Sequence, residues 1–285
     1  MTAIITARQW GTARTALLNS GEQFAELFSS VDPGAMATRK WTVADTAAHV
    51  TAIALWNTAL ARSGEVQAPY PWNVVGEQAR MTTVDTVYKL NDEVLKRFTE
   101  RDPQVLAKQL RTHIGDMLAT SAKLDPDRPI GWLGGSYIPL AALFAHLSNE
   151  LHIHGRDIAR ATGRRWVIQP AYAAQFFELF VAGVTRHGVG RLLYKDRGSS
   201  RSRVAVRFQS RYSEPVTFVL DNGVVTVADG DAPVDVRVWC DPVTLNLMLF
   251  GRVSQVRAVL SGKVRVSGPR PWLLPVFQRT VRFPS

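Results

Sequence analysis

The sequence has 285 residues, of which 46% are hydrophobic and 20% charged, and its formal net charge is +10. This composition is typical of an ordinary globular chain with room for two domains, and it excludes intrinsic disorder and collagen-like repeats. Cys240 is the single cysteine, so an intramolecular disulfide and a multi-cysteine metal cage are excluded and a metal would need histidine and carboxylate ligands.

In chain order, the first half of the sequence has the apolar spacing of helices. The helical patterns cover residues 8–29, 42–63, 84–100, 103–123 and about 139–162. Thr42 and Asp45 have the spacing of a capping box at the start of the second helix, and Gly163 stands where a glycine commonly ends a helix. Four or five helices joined by short connections predict a helical bundle.

The second half changes to short β-branched segments, which are typical of strands. These segments cover residues 203–208, 216–220, 224–227 and 234–239, and helical stretches flank them at 172–186 and 243–250. Asp221-Asn222-Gly223, between the second and third segments, is a hairpin signal. We therefore expect a two-domain protein (α + α/β): a helical bundle over residues 1–165, then a small α+β domain with an antiparallel sheet over residues 166–285.

Three titratable residues of the first half lie on interior faces of the predicted helices. His49 shares a face with Ile53 and Trp56. Glu150 and His154 are four residues apart on an apolar stripe, so both side chains can close on a single ion. An unpaired carboxylate on such a face is costly to bury, which is a reason to expect a cation beside it.

A further histidine leaves the pairing of Glu150 open. His146 extends the same stripe, but it lies about 12 Å from His154 along the helix, too far for both imidazoles to bind one ion. From spacing alone, Glu150 pairs with either His146 or His154. His152 is two residues off the stripe and is predicted to point away from it.

Two motifs carry a resemblance to a known family. The first is Trp41-Thr42-Val43-x-Asp45-x-x-x-His49, and the second is Glu150-x-x-x-His154-Gly155-Arg156-Asp157-Ile158-Ala159-x-Ala161-x-Gly163. Together they resemble the mycothiol-dependent maleylpyruvate isomerase family within the DinB-like metal-binding superfamily. Residues 235–249 and 262–268 are similar to the sterol-carrier-protein-2-like domain often appended to such bundles. One departure is Arg156, where many relatives carry tryptophan, and it bears on the substrate more than on metal binding.

The resemblance implies a DinB-like four-helix bundle with one divalent metal, usually zinc, and the implied ligands are His49, Glu150 and His154. Three protein ligands leave an open position, as in catalytic zinc sites. A thiol bound there would lose its proton, because the cation stabilises the thiolate. We therefore expect a transferase or isomerase that uses zinc or another divalent metal, and mycothiol as cosubstrate, against a small electrophile. The alternative is a non-catalytic protein that binds a metal and, in its C-terminal domain, an apolar ligand.

Two carboxylates near these residues have two interpretations each. Asp45 either caps its helix or orients His49. Asp157 either contacts His154 or is a solvated helix residue. The sequence does not separate the alternatives for Asp157, whereas the capping-box spacing favours the cap for Asp45.

Other residues have less specific signals. The aromatic residues Tyr70, Trp72 and Trp132 either wall a substrate pocket or cover the core. Cys240 shares strand parity with the inward-facing valines of its segment, so it is predicted to be a core residue and no nucleophile. His113 and His187 have no partner motif and are predicted to be structural or exposed.

The basic residues of the sequence raise the question of which partners the protein binds. Residues 186–211 form the densest basic stretch, but no nucleic-acid-binding motif accompanies them, so specific nucleic-acid binding is not expected. The longest nearly apolar stretch, residues 137–147, is shorter than the roughly 20 residues of a membrane span. The N-terminus lacks the pattern of a secretory signal, and we expect a cytoplasmic protein. The expected partners are a small-molecule thiol and an electrophile, and the sequence does not indicate an oligomeric state.

Overall fold

The computed structural model describes residues 5–63, 69–192, 203–228 and 232–281. The helices in these ranges are α1 (Ala7–Ser29), α2 (Val43–Ser63), α3 (Gly76–Met81), α4 (Val87–Arg97), α5 (Pro103–Thr120), α6 (Leu140–Thr162), α7 (Pro170–Gln175), α8 (Ala182–His187), α9 (Pro242–Leu249), α10 (Gln255–Leu260) and α11 (Leu274–Thr280). A π-helical turn, Phe176–Val181, joins α7 to α8. Within the described ranges, none of the helices combines the length and the apolarity needed to cross a membrane.

The N-terminal part of the chain is a four-helix bundle of α1, α2, α5 and α6. Local chemistry sets the helix ends: the Thr6 hydroxyl accepts a hydrogen bond from the Gln9 backbone N–H at the start of α1. Asp102 caps α5 in the same way, with Pro103 in the first helical turn. Gly163 ends α6 with φ 67°, a left-handed conformation that glycine adopts without strain. The helical N-terminal region is confirmed, and α3 is an addition that the apolar spacing did not predict.

The strands form two sheets. The strands β1 (Pro129–Gly131) and β2 (Tyr137–Pro139) pair beside the bundle, and the larger sheet contains β3 (Val204–Gln209), β4 (Val216–Asp221), β5 (Val224–Ala228), β6 (Val236–Cys240) and β7 (Val264–Ser267). The larger sheet has the order β5-β4-β3-β6-β7. The sheet-containing domain with antiparallel strands is confirmed, and Asn222 and Gly223 form the predicted hairpin turn with positive φ at both residues.

Two features of this sheet were not predicted. The strand β7 pairs antiparallel with β6, and β3 pairs parallel with β6. The parallel register places Val206 beside Val236 and Phe208 beside Val238, and these four side chains are buried. A parallel pairing between strands far apart in the sequence depends on tertiary packing, which hydrophobic alternation alone does not encode.

Side chains of the π-helical turn and of α6 contact the C-terminal part of the chain. Phe177, in the π-helical turn, packs against Phe208 of β3 with ring centroids 4.7 Å apart. The Asn246 amide of α9 donates a hydrogen bond of 3.0 Å to the Asn149 side-chain oxygen of α6. The C-terminal part therefore contacts the helix that carries Glu150. The division of the chain near residue 165 stays a prediction.

Candidate metal centre

Helix α6 places Glu150 and His154 one turn apart on an inward face. The apolar residues around them on α6, Leu143, Leu147, Leu151 and Ile158, are fully buried. This burial fixes the rotation of the helix about its axis, because the apolar stripe must face the bundle core. As a result the two polar side chains point into the interior, where His154 is 8% exposed.

Helix α2 brings His49 to the same place. The helix begins at a capping box in which the Asp45 backbone N–H donates to the Thr42 hydroxyl, and the Thr42 backbone N–H donates to the Asp45 carboxylate, both at 3.1 Å. Arg101 also donates to Asp45 at 2.8 Å. Asp45 is therefore a cap that pairs with Arg101, and the structure does not bring it to His49. The Trp41 ring, just before the helix, lies 4.7 Å from the His49 ring.

The three residues form one compact donor set. One ligand atom from each of His49, Glu150 and His154 lies within 4.8 Å of the others. The Glu150 Oε2 atom is 3.6 Å from His49 Nε2 and 3.4 Å from His154 Nε2. Tetrahedral zinc with bonds of about 2.1 Å holds its donors roughly 3.4 Å apart. The side chains are also nearly enclosed, at 3% exposure for His49 and 13% for Glu150.

Burial and neighbouring charges set the protonation of these groups. Burial works to raise the pKa of Glu150, but His154 and His49 outweigh it and hold that pKa well below its usual value. Burial lowers the pKa of His49. Burial also works to lower the pKa of His154, but the Asp157 and Glu150 carboxylates outweigh it and raise that pKa. At neutral pH an ionised carboxylate therefore lies beside a neutral His49, and those are the protonation states in which both groups bind metals.

His146 contacts Glu150 as well as His154 does. The prediction that the Glu150 carboxylate pairs with only one of these two histidines is therefore wrong. The Oε1 atom of Glu150 lies 3.6 Å from His146 Nε2, while its Oε2 atom faces His154. A carboxylate has two oxygen atoms, so one residue reaches along the helix in both directions. His152 points away from the site, as predicted, and its Nε2 lies 2.8 Å from the Ser20 hydroxyl of α1.

Asp157 connects the donor set to the C-terminal part of the chain. Its Oδ2 atom lies 3.5 Å from His154 Nδ1. Arg252, which follows α9, donates to both oxygens of Asp157, at 3.2 and 2.5 Å. Asp157 is only 9% exposed, so it is a partner of His154 and no solvated helix residue. The role of Arg252 was not predicted, because its partner lies 95 residues earlier in the chain.

A cavity of about 440 Å³ opens beside the donor set. Its lining includes His49, Glu150 and His154. Four aromatic side chains form one part of the lining, which we call the aromatic wall: Trp132, Phe176, Phe180 and Phe250. Arg39, Lys40, Asp92 and Arg252 add charged groups to the lining.

The aromatic residues that were expected either to wall a pocket or to cover the core have different positions. Trp132 lines the cavity. Trp72 covers the core, where it is 3% exposed and stacks on Trp56 with centroids 4.5 Å apart. Tyr70 is 59% exposed. The members of the wall from the π-helical turn, Phe176 and Phe180, were inside a predicted helix, and the signal that could have found them is the density of phenylalanine there.

Cys240 is a core residue, as predicted. It is 4% exposed, and burial, followed by the charge of Asp241, raises the pKa of its thiol to about 12. Part of the basic stretch, including Lys195, Arg197 and Arg201, lies outside the described residues. Within the described residues of that stretch, Arg207 donates to the Thr217 hydroxyl at 3.0 Å.

Comparisons with known proteins match both parts of the chain. A family model described as the mycothiol maleylpyruvate isomerase N-terminal domain matches residues 17–159, and one described as the SCP-2 sterol transfer family matches residues 202–273. A crystal structure of the mycothiol-dependent maleylpyruvate isomerase has a similar fold, with a TM-score of 0.50 at 15% identity over 94% of this chain and 96% of that chain. A mutant form of that enzyme gives a TM-score of 0.50 at 14% identity over the same shares. No curated protein matches the chain in sequence.

Proposed function

Since the chain belongs to the mycothiol maleylpyruvate isomerase N-terminal domain family, we propose that it is a metal-dependent enzyme that uses mycothiol as its cosubstrate. The proposed ligands of the metal, zinc or another divalent ion, are His49, Glu150 and His154. The thiol attacks a small electrophile, and the outcome is a thiol transfer or an isomerisation. The observation that carries the proposal is the donor set itself, with three ligand atoms within 4.8 Å of one another beside a cavity of about 440 Å³.

The chemistry of the donor set fits a divalent cation. Two imidazoles and one carboxylate are ligands that zinc accepts, and three of them leave a position open for a further ligand. The Glu150 carboxylate is enclosed, and its contacts are imidazoles. A buried carboxylate without a cation is costly by several kcal/mol. A divalent ion bound there would offset this cost and would favour the thiolate form of a thiol beside it.

The residues around the donor set have distinct roles in this proposal. Asp157 lies 3.5 Å from Nδ1 of the His154 ring, and its charge favours the ring orientation in which the Nε2 atom faces Glu150. Trp41 covers the His49 ring and limits the access of water on that side. The aromatic wall excludes water from the neighbouring part of the cavity. The nucleophile comes from the cosubstrate, because the thiol of Cys240 is buried in the sheet with a raised pKa.

A second candidate function rests on the match of residues 202–273 to the SCP-2 sterol transfer family. In this alternative the protein binds a metal and an apolar ligand without catalysis. The two candidates differ in turnover. An apolar molecule that co-purifies with the protein, together with no thiol-dependent reaction in the zinc-loaded form, would favour the alternative.

Elemental analysis of protein without an affinity tag tests the proposed ligands. We expect about one equivalent of metal in the wild type, and a loss of it in H49A, E150A and H154A, because two donors hold zinc weakly. The matched control is H146A, which changes a histidine of the same stripe and should keep the metal.

Thiol-dependent turnover is then measured on the same samples. We expect thiol addition or cis–trans isomerisation with mycothiol to follow the metal content. Unchanged metal content and unchanged turnover in H49A and E150A would contradict the proposal. Absence of metal from the wild type even after incubation with zinc would also contradict it.

A further inference from the structure

The aromatic wall is a continuous surface built from three separate parts of the chain. Phe176 and Phe180, one turn apart, stack with centroids 5.3 Å apart and planes at 18°. Phe250, at the end of α9, contacts Phe176 at 5.6 Å. Trp132, between β1 and β2, meets Phe180 edge to face at 6.0 Å. Phe176 and Phe180 are each 1% exposed, so surrounding contacts hold both rings in place.

His146 connects this wall to the candidate metal centre. Its ring lies 4.9 Å from Trp132 and 5.1 Å from Phe180. Its Nε2 atom lies 3.6 Å from the Oε1 atom of Glu150. The wall therefore begins one side chain away from the donor set. If a substrate reacts beside the metal and extends past His146, its non-reacting part must pack against aromatic rings.

Two of the three cations that line the cavity already have partners within the protein. Arg252 is engaged by both oxygens of Asp157. Lys40 lies 5.8 Å from the centre of the Tyr88 ring, and Arg39 is the third cation of the lining. A carboxylate pressed against aromatic rings loses its hydration without gaining a hydrogen-bond donor, which is unfavourable. A planar apolar group gains buried area and ring contacts there instead.

We propose that the electrophile of this enzyme carries a planar apolar group, such as a phenyl ring, next to its reactive carbon. The inference rests on the proposed function, because it names the substrate class of that same site. In the reaction, the thiolate sulfur forms a bond to the β-carbon of an activated double bond. The π electrons move to the carbonyl as an enolate, and the α-carbon then takes up one proton. Atoms and charge balance without an oxidant, a reductant or a leaving group.

Two enones that differ in one substituent test the proposal. Benzylideneacetone and trans-4-oxopent-2-enoate share the methyl enone, but the β-carbon carries a phenyl ring in the first and a carboxylate in the second. Rates of mycothiol addition are measured with the zinc-loaded protein from the loss of enone absorbance, and each rate is divided by its uncatalysed rate. We expect an enhancement about tenfold larger for the phenyl compound. An equal or larger enhancement for the carboxylate would overturn the inference.

A binding measurement separates this inference from the proposed function. Calorimetry with 4-phenylbutan-2-one and with 4-oxopentanoate, the saturated ketones of the pair, needs no turnover. We expect the phenyl ketone to bind more tightly, and F180L to weaken its binding about tenfold. The control is F24L, at a fully buried phenylalanine that does not line the cavity, and its affinity should equal that of the wild type. Binding of the phenyl ketone without turnover of either enone would support the inference and count against the proposed function. No preference between the ketones would overturn the inference.

Discussion

The His49 and His154 rings meet nearly edge to face, with centroids 5.2 Å apart and planes at 84°. The two rings come from α2 and α6, which pack against each other in the bundle. The spacing of the imidazoles is therefore set by the packing of two helices and does not depend on the conformation of a loop. Donor atoms on rigid elements keep their separation before a ligand arrives, and the binding free energy is not used to order them.

Replacement of Asp157 should weaken metal binding without removing a proposed ligand. Its carboxylate lies 3.5 Å from His154 Nδ1, and partners of this kind orient the ring and raise its basicity. We expect D157N to lower the zinc affinity about tenfold, measured by competition with a chelator. The control is D116N, which changes an exposed ion pair with Arg62 and should leave the affinity unchanged. Equal zinc affinities in D157N and wild type would contradict the role of Asp157.

Gly155 should be essential for the packing of α6, although glycine is a poor helix former. A Cβ at this position would lie 2.2 to 2.6 Å from atoms of the Trp166 ring, which is too close. We expect G155A to lower the free energy of unfolding by about 1–3 kcal/mol, measured by urea denaturation. The matched control is G115A in α5, where a Cβ would meet nothing within 4 Å.

The two alanine variants should change the free energy of unfolding in opposite directions. In G115A the helix propensity of alanine acts alone, and we expect a gain of about 0.5–1 kcal/mol. The further replacement W166L in the G155A background should recover part of the lost stability, because it removes the ring that the new methyl group meets. Stabilisation by G155A alone would show that Trp166 moves aside at little cost.

The parts of the site that depend on local spacing were predictable from the sequence. Helical periodicity places Glu150 and His154 on one face, and the capping box fixes where α2 begins. Both features depend on residues within five positions of one another. The proximity of His49 to Glu150 was predicted only from the family resemblance. Periodicity describes each helix by itself and does not indicate which helices are in contact.

The parts that depend on distant contacts were not predictable in this way. Arg252 reaches Asp157 from 95 residues away, and the parallel pairing of β3 with β6 joins strands separated by two others. The aromatic wall has the same origin, because Trp132, Phe180 and Phe250 come from three segments. Such contacts are determined by tertiary packing, which local patterns in a single sequence do not reveal.

Glu178 should make the stability of the protein depend on pH. It is 7% exposed in the π-helical turn, and burial raises its pKa in the folded state. A raised pKa means that the folded state binds this proton more tightly than the unfolded chain. The carboxyl therefore favours folding below its unfolded pKa, and that contribution is lost as the pH rises through its folded pKa.

The glutamine variant tests this dependence. E178Q has no titrating group and keeps an oxygen that can accept the Gln9 hydrogen bond of 2.6 Å. We expect its melting temperature relative to wild type to increase from acid to neutral pH. The control is E77Q, at an exposed position of α3, which should show no such trend. A difference between E178Q and wild type that is constant with pH would exclude a titrating role for Glu178.

Cys240 should be unreactive in the native protein. Its thiol is buried, has a pKa raised to about 12, and donates to the Gln209 backbone carbonyl at 3.6 Å. The thiolate is the reactive form, and burial also blocks the approach of a reagent. We expect no reaction of the native protein with an aromatic disulfide reagent, and one equivalent of reaction after unfolding in urea. C240A should keep the metal content and the thiol-dependent turnover of the wild type, because the proposed nucleophile belongs to the cosubstrate. Loss of turnover in a folded, metal-loaded C240A would instead assign the nucleophile to the protein.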